Sequence, residues 1–256
     1  MARPTRLRLP RPPPSPPAGR GLPLRPAGPP SRRRSRRRRP HGPQRHPPHP
    51  VPAGSLAPAA GPTRHHGLGA PLGIVGRLTP WKGQDIVLRV AAQWAKSGRP
   101  GRFAIIGGAF NEDAPFEAHL REFVQSHGLA GRVHFVPFQP DIASAISSLD
   151  VLVHASTKPE PFGRVLIEAM ALGVPVVAAR GGGVPEIVTD AVDGLLVPPG
   201  DVAGTTHALE RLLGDPAFQT SIVEAGSRTV RDKFSMERVF TDWHALLSEA
   251  SNRNAP

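Results

Sequence analysis

Cysteine is absent from this 256-residue chain, and no apolar run approaches the roughly 18 residues of a membrane-spanning helix. Without cysteine there can be no disulfide bond, thiolate zinc site or cysteine nucleophile, and the composition is compatible with a reducing compartment. The N-terminus carries positive charge, but no apolar segment follows it as in a secretory signal. We therefore expect a cytoplasmic protein with no transmembrane segment, and peripheral association with a membrane is the alternative.

Acidic residues are absent from the first 70 positions. Residues 1–70 hold 15 of the 32 Lys and Arg, 19 of the 33 prolines and none of the 20 Asp and Glu. By difference, residues 71–256 carry 17 basic and 20 acidic residues, so the net charge of +12 comes from the N-terminal segment. A segment so rich in Pro and Arg cannot bury enough apolar surface to offset its chain entropy. We expect residues 1–70 to be disordered and residues 71–256 to form one domain.

An arginine run at residues 31–39 (SRRRSRRRR) is typical of nuclear-localisation or nucleic-acid-binding segments. However, residues 1–70 contain no aromatic side chain that could stack on a base, so we expect no nucleic-acid partner. Two explanations of this segment stay open. It is a genuine disordered tail, or it is the product of a mis-called start or a frameshift, because Pro, Arg, Ala and Gly have GC-rich codons.

From residue 71 the sequence alternates between strand and helix patterns, as βαβ units do. Short apolar runs predict strands at 71–76, 103–106, 133–136, 151–156, 174–179 and 195–197. Helical spacing of apolar residues predicts helices at 81–97, 115–127, 141–148, 162–172, 202–213, 216–230 and 236–250. This pattern indicates an α/β fold with a doubly wound parallel sheet, in which ligands bind beyond the carboxyl ends of the strands.

Two glutamates separated by seven residues follow the fourth predicted strand, in residues 160–169 (EPFGRVLIEA). The N–H groups at the start of the next helix attract anions. Glu160 would lie at the rim of that site, and Glu168 would lie two turns further along. Carboxylates are poor phosphate ligands but good acceptors for hydroxyl groups, so the pair indicates a sugar or ribose beside a phosphate. The alternative is that both are ordinary acids, one on a helix surface and one near a helix N-terminus.

A glycine and two basic residues follow the first strand, in residues 76–83 (GRLTPWKG). Gly76 permits close approach of the backbone to a ligand. Arg77 and Lys82 put two positive charges near a helix start that already favours anions, and together they could hold a diphosphate. By themselves they could equally be solvated surface charges.

Two glycine-rich segments follow later, at residues 179–188 (ARGGGVPEIV) and 194–201 (GLLVPPGD). The glycines allow a turn after a strand, and Pro185 suits the first position of a helix. Glu186 has a structural explanation, because an acid in the first turn complements the helix dipole. Phe138 follows the third strand and is either a core residue or a ligand contact.

The histidines of residues 71–256 show no spacing typical of metal ligands, and there is no D-x-D pair. They are His119, His127, His134, His154, His207 and His244. We expect no metal site. His154, at a strand end, is interpreted as a packed strand histidine rather than a catalytic one.

Residues 71–250 resemble the C-terminal, donor-binding domain of retaining GT-B glycosyltransferases, especially glycosyltransferase family 4. The resemblance rests on E-x7-E, G-R-L-x-x-x-K-G, G-G-x-P-E and G-x-L-V-P-P-G-D, in the order of the family. It implies transfer of a hexose from a nucleotide-diphosphate sugar to an acceptor hydroxyl, with retention and without a metal or other cofactor. Arg77 and Lys82 would bind the departing diphosphate, Glu160 the sugar and Glu168 the ribose hydroxyls, while the loop with Phe138 would cup the base.

The resemblance therefore implies a defined set of site residues. The catalytic residues are Arg77, Lys82 and Glu160, and the donor-binding residues are Gly76, Arg77, Lys82, Phe138, Glu160, Phe162, Gly163, Val165 and Glu168. Residues 1–70 contain nothing like the N-terminal acceptor domain of the family. We expect this chain to supply only the donor-binding half, to be inactive alone on its unknown acceptor, and to expose apolar side chains on helix 236–250. Two alternatives stay open: a nucleotide-sugar-binding fragment without turnover and, less favoured, a basic nucleic-acid-binding protein.

Overall fold

The structure, a computed structural model, describes residues 71–253, without the side chains of residues 246 and 250–253. The expectation of disorder for residues 1–70 lies outside this range. The strands are β1 Pro71–Val75, β2 Arg102–Ile106, β3 Val133–Val136, β4 Val151–His154, β5 Val176–Ala179 and β6 Leu195–Val197. The helices are α1 Gln84–Lys96, α2 Ala114–Ser126, α3 Ile142–Ser147, α4 Arg164–Ala171, α5 Val184–Ile187, α6 Val202–Gly214, α7 Pro216–Phe234 and α8 Met236–Arg253. Short 3₁₀ turns lie at Pro80–Lys82 and Asn111–Asp113.

All six strands are parallel, in the order β3-β2-β1-β4-β5-β6. This order confirms the predicted doubly wound α/β sheet. The chain runs outward from β1 to β3 and then returns to the other side of β1, where Leu72 of β1 pairs with Val151 of β4. Ligands of such sheets bind where the strand order reverses. That position is the crevice beyond the carboxyl ends of β1 and β4.

The two faces of the sheet carry separate apolar clusters. Because side chains alternate along a strand, Val151 and Val153 of β4 pack on one face while Leu152 packs on the other. The first cluster includes the buried apolar residues of α1 and α6, and the second includes Leu166 of α4. His154, two residues after Leu152, therefore lies on the face that α4 covers.

Glycine sets two helix starts that differ from the sequence-based prediction. The predicted helix 81–97 is a 3₁₀ turn followed by α1 from Gln84, because Gly83 between them has a left-handed backbone (φ 78°). The predicted helix 162–172 begins only at Arg164, after Gly163 in the same region (φ 95°). Both helices consequently begin just beyond the crevice, and the glycine that precedes each helix lies next to the crevice.

Helix α8 carries apolar side chains that the rest of the described chain leaves exposed. These are Met236, Val239, Phe240, Trp243 and Leu247. The expectation of an exposed apolar face on this helix is confirmed for these residues.

Gly83 also allows the segment before α1 to approach β4 closely. A Cβ atom at this position would collide with the carbonyl oxygen of Ala155, which follows β4. Beside this contact, the Thr157 N–H donates to the Trp81 carbonyl at 2.8 Å. The two segments that flank the crevice are therefore fixed to each other by backbone contacts.

Substitution of Gly83 by alanine tests this approach. Gly98→Ala is the matched control, because Gly98 has a similar φ (70°) but no atom within 4 Å of the added Cβ. The control should lose about 1–2 kcal/mol of unfolding free energy through left-handed strain alone. Gly83→Ala should lose about 2–5 kcal/mol, because overpacking adds to the strain. Equal losses in urea titrations would contradict the close approach.

Candidate functional site

Lys82 and Glu160, 78 positions apart in sequence, meet in the crevice. The Lys82 Nζ donates to the Glu160 Oε2 at 2.6 Å. The contacts between residues 81–83 and 155–157 bring the lysine to this position. The Lys82 ammonium also lies 4.3 Å from the centroid of the Trp81 ring, in a cation–π arrangement.

The same carboxylate oxygen receives hydrogen bonds from the end of β4. Ser156 Oγ donates to Oε2 at 3.0 Å, and His154 Nε2 lies 3.1 Å from it. An ionised carboxylate only accepts hydrogen bonds, so the histidine nitrogen that faces it carries the proton. Glu160 is 8% exposed and His154 5% exposed. Glu160 is therefore a buried carboxylate with three donors on one oxygen.

The backbone of Glu160 is fixed by the glycine turn after β5. Glu160 and Gly182 form an isolated parallel bridge, and the Gly183 N–H donates to the Glu160 carbonyl at 2.8 Å. Gly182 has a left-handed backbone (φ 59°), and a Cβ there would collide with the backbone of Glu160. The residues 181–183 thus form a specific support for Glu160 rather than only a turn.

These contacts keep Glu160 ionised. The hydrogen bond from His154 is the largest influence, and the Lys82 and Ser156 hydrogen bonds and the Lys82 charge act in the same direction. Burial opposes them, but together they lower the pKa of Glu160 to about 2. The site therefore presents a fixed negative charge next to a lysine.

Arg77 makes its ion pairs on the other side of β1. Its Nε lies 3.3 Å from Asp113 Oδ2, a terminal Nη lies 4.0 Å from Glu112 Oε1, and its guanidinium lies over the ring of Phe110. Asp113 is nearly buried, yet its Oδ2 has no partner with hydrogen-bond geometry among the described residues, so this is a charge contact only. The structure brings Lys82 and Glu160 into direct contact, whereas the described partners of Arg77 are these acids.

Gly76 ends β1 with φ 152°, and its carbonyl oxygen packs against Gly107 so closely that a Cβ at position 107 would collide with it. The two glycines let the ends of β1 and β2 approach each other. Gly76 thus lies at the crevice edge, where the sequence predicts it.

The residues at the start of α4 lie on the opposite wall of the crevice. Gly163 is the buried residue before the helix, Phe162 is half exposed, and Val165 is partly buried against the sheet cluster. The Phe162 ring makes an edge contact with Phe234 of α7, with centroids 6.3 Å apart. The backbone N–H groups of this first turn lie at the carboxyl edge of the sheet, as the helix start requires.

Glu168 lies one turn into α4 and pairs with Arg164 of the same helix at 3.1 Å. Its side chain is 19% exposed, so it retains contact with solvent. Glu168 is therefore paired like an ordinary helix-surface acid and is also accessible to a ligand hydroxyl. Phe138 is 74% exposed, which excludes the interpretation that it is a core residue.

Sequence reasoning missed the partnership of His154 and Ser156 with Glu160. His154 is a packed strand residue as predicted, but it also contacts the first glutamate of the motif. The signal was available in residues 154–156 (HAS), because alternate residues of an extended segment share a face. The spacing gives the shared face, but it does not show that the chain turns back to bring Glu160 onto it.

Comparison with known proteins identifies the family. The profile described as "Glycosyl transferases group 1" matches residues 71–229, and the chain belongs to this family. The chain is 30% identical over 174 residues to the lipopolysaccharide core biosynthesis glycosyltransferase LpsE of Rhizobium meliloti, a match that covers 68% of this chain and 48% of LpsE. The chain spans about half or less of the length of the curated relatives that it matches first.

Solved structures share the fold. HepE of Anabaena, in complex with UDP-glucose, has a TM-score of 0.66 and 31% identity, over 71% of this chain and 49% of HepE. The C-terminal domain of a group 1 glycosyltransferase, LpcC from Francisella tularensis, has a TM-score of 0.64 and 29% identity, over 72% of this chain and 97% of that domain. The described residues form the C-terminal domain of a GT-B glycosyltransferase.

Neither a membrane span nor a metal cluster occurs in the described range. Within residues 71–253, no helix has the length and apolar character to cross a membrane. In the same range, no three His, Asp or Glu side chains are grouped as metal ligands.

The lowered pKa of Glu160 makes a prediction about acid stability. Its ordinary pKa is 4.5 and its folded pKa is about 2, so the unfolded chain binds more protons between these values. The stability that Glu160 contributes is complete above about pH 4.5 and is lost as the pH falls through about 2. Glu160→Gln should be less stable at neutral pH and should show a flatter loss of stability in this window, measured by urea unfolding at a series of pH values.

The control is Glu224→Gln, which removes an exposed carboxylate 3.9 Å from Arg228 on α7. Surface pairs of this kind contribute little, so this variant should follow the wild-type slope. A Glu160→Gln profile parallel to the wild type would show that Glu160 does not carry this pH dependence.

Proposed function

We propose that the crevice between β1 and β4 binds the nucleotide-diphosphate sugar of a retaining hexosyl transfer, and that the described domain supplies the donor-binding half of the enzyme. The observation that carries this proposal is the contact between Lys82 and the buried Glu160 at the switch point of the sheet. In this contact, an ammonium group that could bind a diphosphate lies beside a carboxylate that could accept hydrogen bonds from sugar hydroxyls. Membership of the glycosyltransferase family supports the reaction class.

Glu160 suits a role as a sugar-orienting group because its carboxylate is fixed before any ligand arrives. All three of its donors converge on Oε2, and none of the described hydrogen bonds uses Oε1. Oε1 can therefore accept a hydrogen bond from a hydroxyl of the donor sugar. A preorganised acceptor costs little reorganisation at the moment of binding or reaction.

Lys82 and Arg77 are proposed to balance the charge of the diphosphate as it departs. Lys82 lies in the crevice, and Arg77 lies on the same loop with a half-exposed side chain. The ion pair of Arg77 with Glu112 is long and exposed, so it is weak and can exchange for a phosphate. The basic residues would then serve without a metal ion.

The remaining site residues are proposed to hold the nucleoside and the phosphate. The N–H groups of Phe162, Gly163 and their neighbours would approach the phosphate or sugar, while Val165 shapes the wall. Glu168 would accept hydrogen bonds from the ribose hydroxyls, and Phe138, with its exposed ring after β3, would cover the base. The HepE complex with UDP-glucose supports this class of ligand. The acceptor would bind to a second domain that faces this one.

Calorimetry with UDP, GDP and ADP, and with their glucose esters, tests donor binding. Lys82→Ala should weaken the binding of whichever nucleotide the wild type binds by about 1.5–3 kcal/mol, or about 10- to 150-fold. This is the range for a charged hydrogen bond. Lys96→Ala is the control, because Lys96 lies exposed at the far end of α1. Unchanged affinity in Lys82→Ala, or no binding of any of these compounds to the wild type, would contradict the proposal.

The two glutamates should be separable by ligand. Glu168→Ala should weaken the binding of the nucleotide sugar and of the free nucleotide alike, because both ligands contain the ribose. Glu160→Ala should weaken mainly the binding of the nucleotide sugar, since only that ligand has the hexose. The measurement is the ratio of the two dissociation constants in each variant, and the same ratio in both variants would exclude separate roles.

A further inference from the structure

His154 has one ring nitrogen engaged and the other without a partner. Its Nε2 carries the proton toward Glu160 Oε2 and also lies 3.2 Å from Ser156 Oγ. Its Nδ1 is buried and has no hydrogen-bond partner among the described residues. In the neutral ring this nitrogen holds a lone pair, so it is where a further proton would bind.

We propose that His154 is a positioning residue for Glu160, and that it takes up a proton when the diphosphate of the donor draws Lys82 away from that carboxylate. This inference rests on the proposed function, because it needs an anionic ligand that competes for Lys82. It assigns His154 a role beyond packing. The ring keeps Glu160 in place through Nε2 and replaces the lost positive charge through Nδ1.

The first step of the argument is the loss of charge balance. In the described part of the chain, Lys82 is the cation in direct contact with Glu160, at 2.6 Å. A diphosphate that engages the same ammonium group weakens this contact. The Glu160 side chain is 10% exposed, so water compensates poorly for the missing cation. A buried carboxylate without a counter-charge is costly, which drives the uptake of a proton by the pair of Glu160 and His154.

The second step decides where that proton binds. A free imidazole is a stronger base than a free carboxylate, so the open Nδ1 of His154 is the more basic acceptor for the added proton. Burial disfavours a charged imidazole in isolation, but the carboxylate at 3.1 Å offsets this cost. Protonation of His154 retains the hydrogen bond to Oε2, whereas protonation of Glu160 would remove its negative charge.

In the described range, the titratable groups in hydrogen-bond contact with His154 or with its partner carboxylate are Glu160 and Lys82. Glu160 faces it directly from the loop after β4, and Lys82 faces it through Glu160 from the turn before α1. Its register partner on β5 is Ala178, and the buried side chains of α4 on the same face are apolar. Ser156 completes the contacts with a neutral hydroxyl.

A variant without ligand tests the charge coupling. Lys82→Met keeps most of the length of the unbranched side chain and removes its charge. The pH titration of the His154 ring is followed by NMR, with its signals assigned by their absence in His154→Gln. The inference expects the titration in Lys82→Met to move to higher pH than in the wild type. An unchanged titration, or a proton that binds to Glu160 instead, would overturn it.

A second arm measures the proton during donor binding. Glucose esters of UDP, GDP and ADP are suitable probes, because their diphosphate is a diester with no group that titrates near neutral pH. Calorimetry in two buffers of different ionisation enthalpy gives the number of protons bound with the ligand. The wild type should take up as much as about one proton. His154→Gln, which keeps a donor near the position of Nε2, should bind the ligand with no uptake.

The control for the loss of a histidine is His134→Gln, on the exposed side of β3, which should keep the wild-type uptake. Binding by the wild type with no proton uptake overturns the inference and leaves the proposed function intact. Binding of none of the three esters overturns the proposed function, and with it the donor-linked half of the inference. In that case the titration of Lys82→Met still decides whether His154 and Lys82 share the charge of Glu160.

Discussion

The buried carboxylate of Glu160 is the constraint on which this domain's crevice depends. A buried charge is tolerated only with partners, and these come from separate segments: Lys82 from the turn before α1, and His154 and Ser156 from the end of β4. The backbone of Glu160 is held by a further segment, residues 181–183. Each segment must be in place for the charge to be satisfied. The carboxylate therefore links the two halves of the sheet at the switch point, where doubly wound sheets generally bind their ligands.

The doubly wound sheet makes this convergence possible. Parallel strands end at one edge, so the segments after β1, β4 and β5 leave the sheet side by side. Glycines then let them approach within distances that a side chain would prevent, as Gly83 does with Ala155 and Gly182 with Glu160. The helices α1 and α4 begin directly after the left-handed glycines Gly83 and Gly163. The same residues thus end the loops, start the helices and define the crevice.

The sequence predicts the fold well because its signals are local. Apolar runs and glycine punctuation predict all six strands and a parallel sheet, while helix starts shift by a few residues where Gly83 and Gly163 adopt left-handed backbones. Such local signals predict the site only in part. Lys82 and Glu160 are brought together in sequence analysis by family resemblance, since no local rule joins residues 78 positions apart. The ion pair of Arg77 with Asp113 depends on how two loops pack, which no spacing encodes.

Convergence of three donors on one oxygen has a consequence for the order of events at the site. If Lys82 alone held Glu160, a ligand that engaged the lysine would release the carboxylate as well, and the sugar would meet a mobile acceptor. In the proposed function, Ser156 and His154 remain as donors from a buried strand end, so Glu160 would keep its orientation when the lysine turns to an anion. The lysine can therefore serve two partners in succession without disturbing the geometry of the site. A rigid carboxylate beside an exchangeable cation suits the binding of an anionic sugar donor that we propose for this crevice.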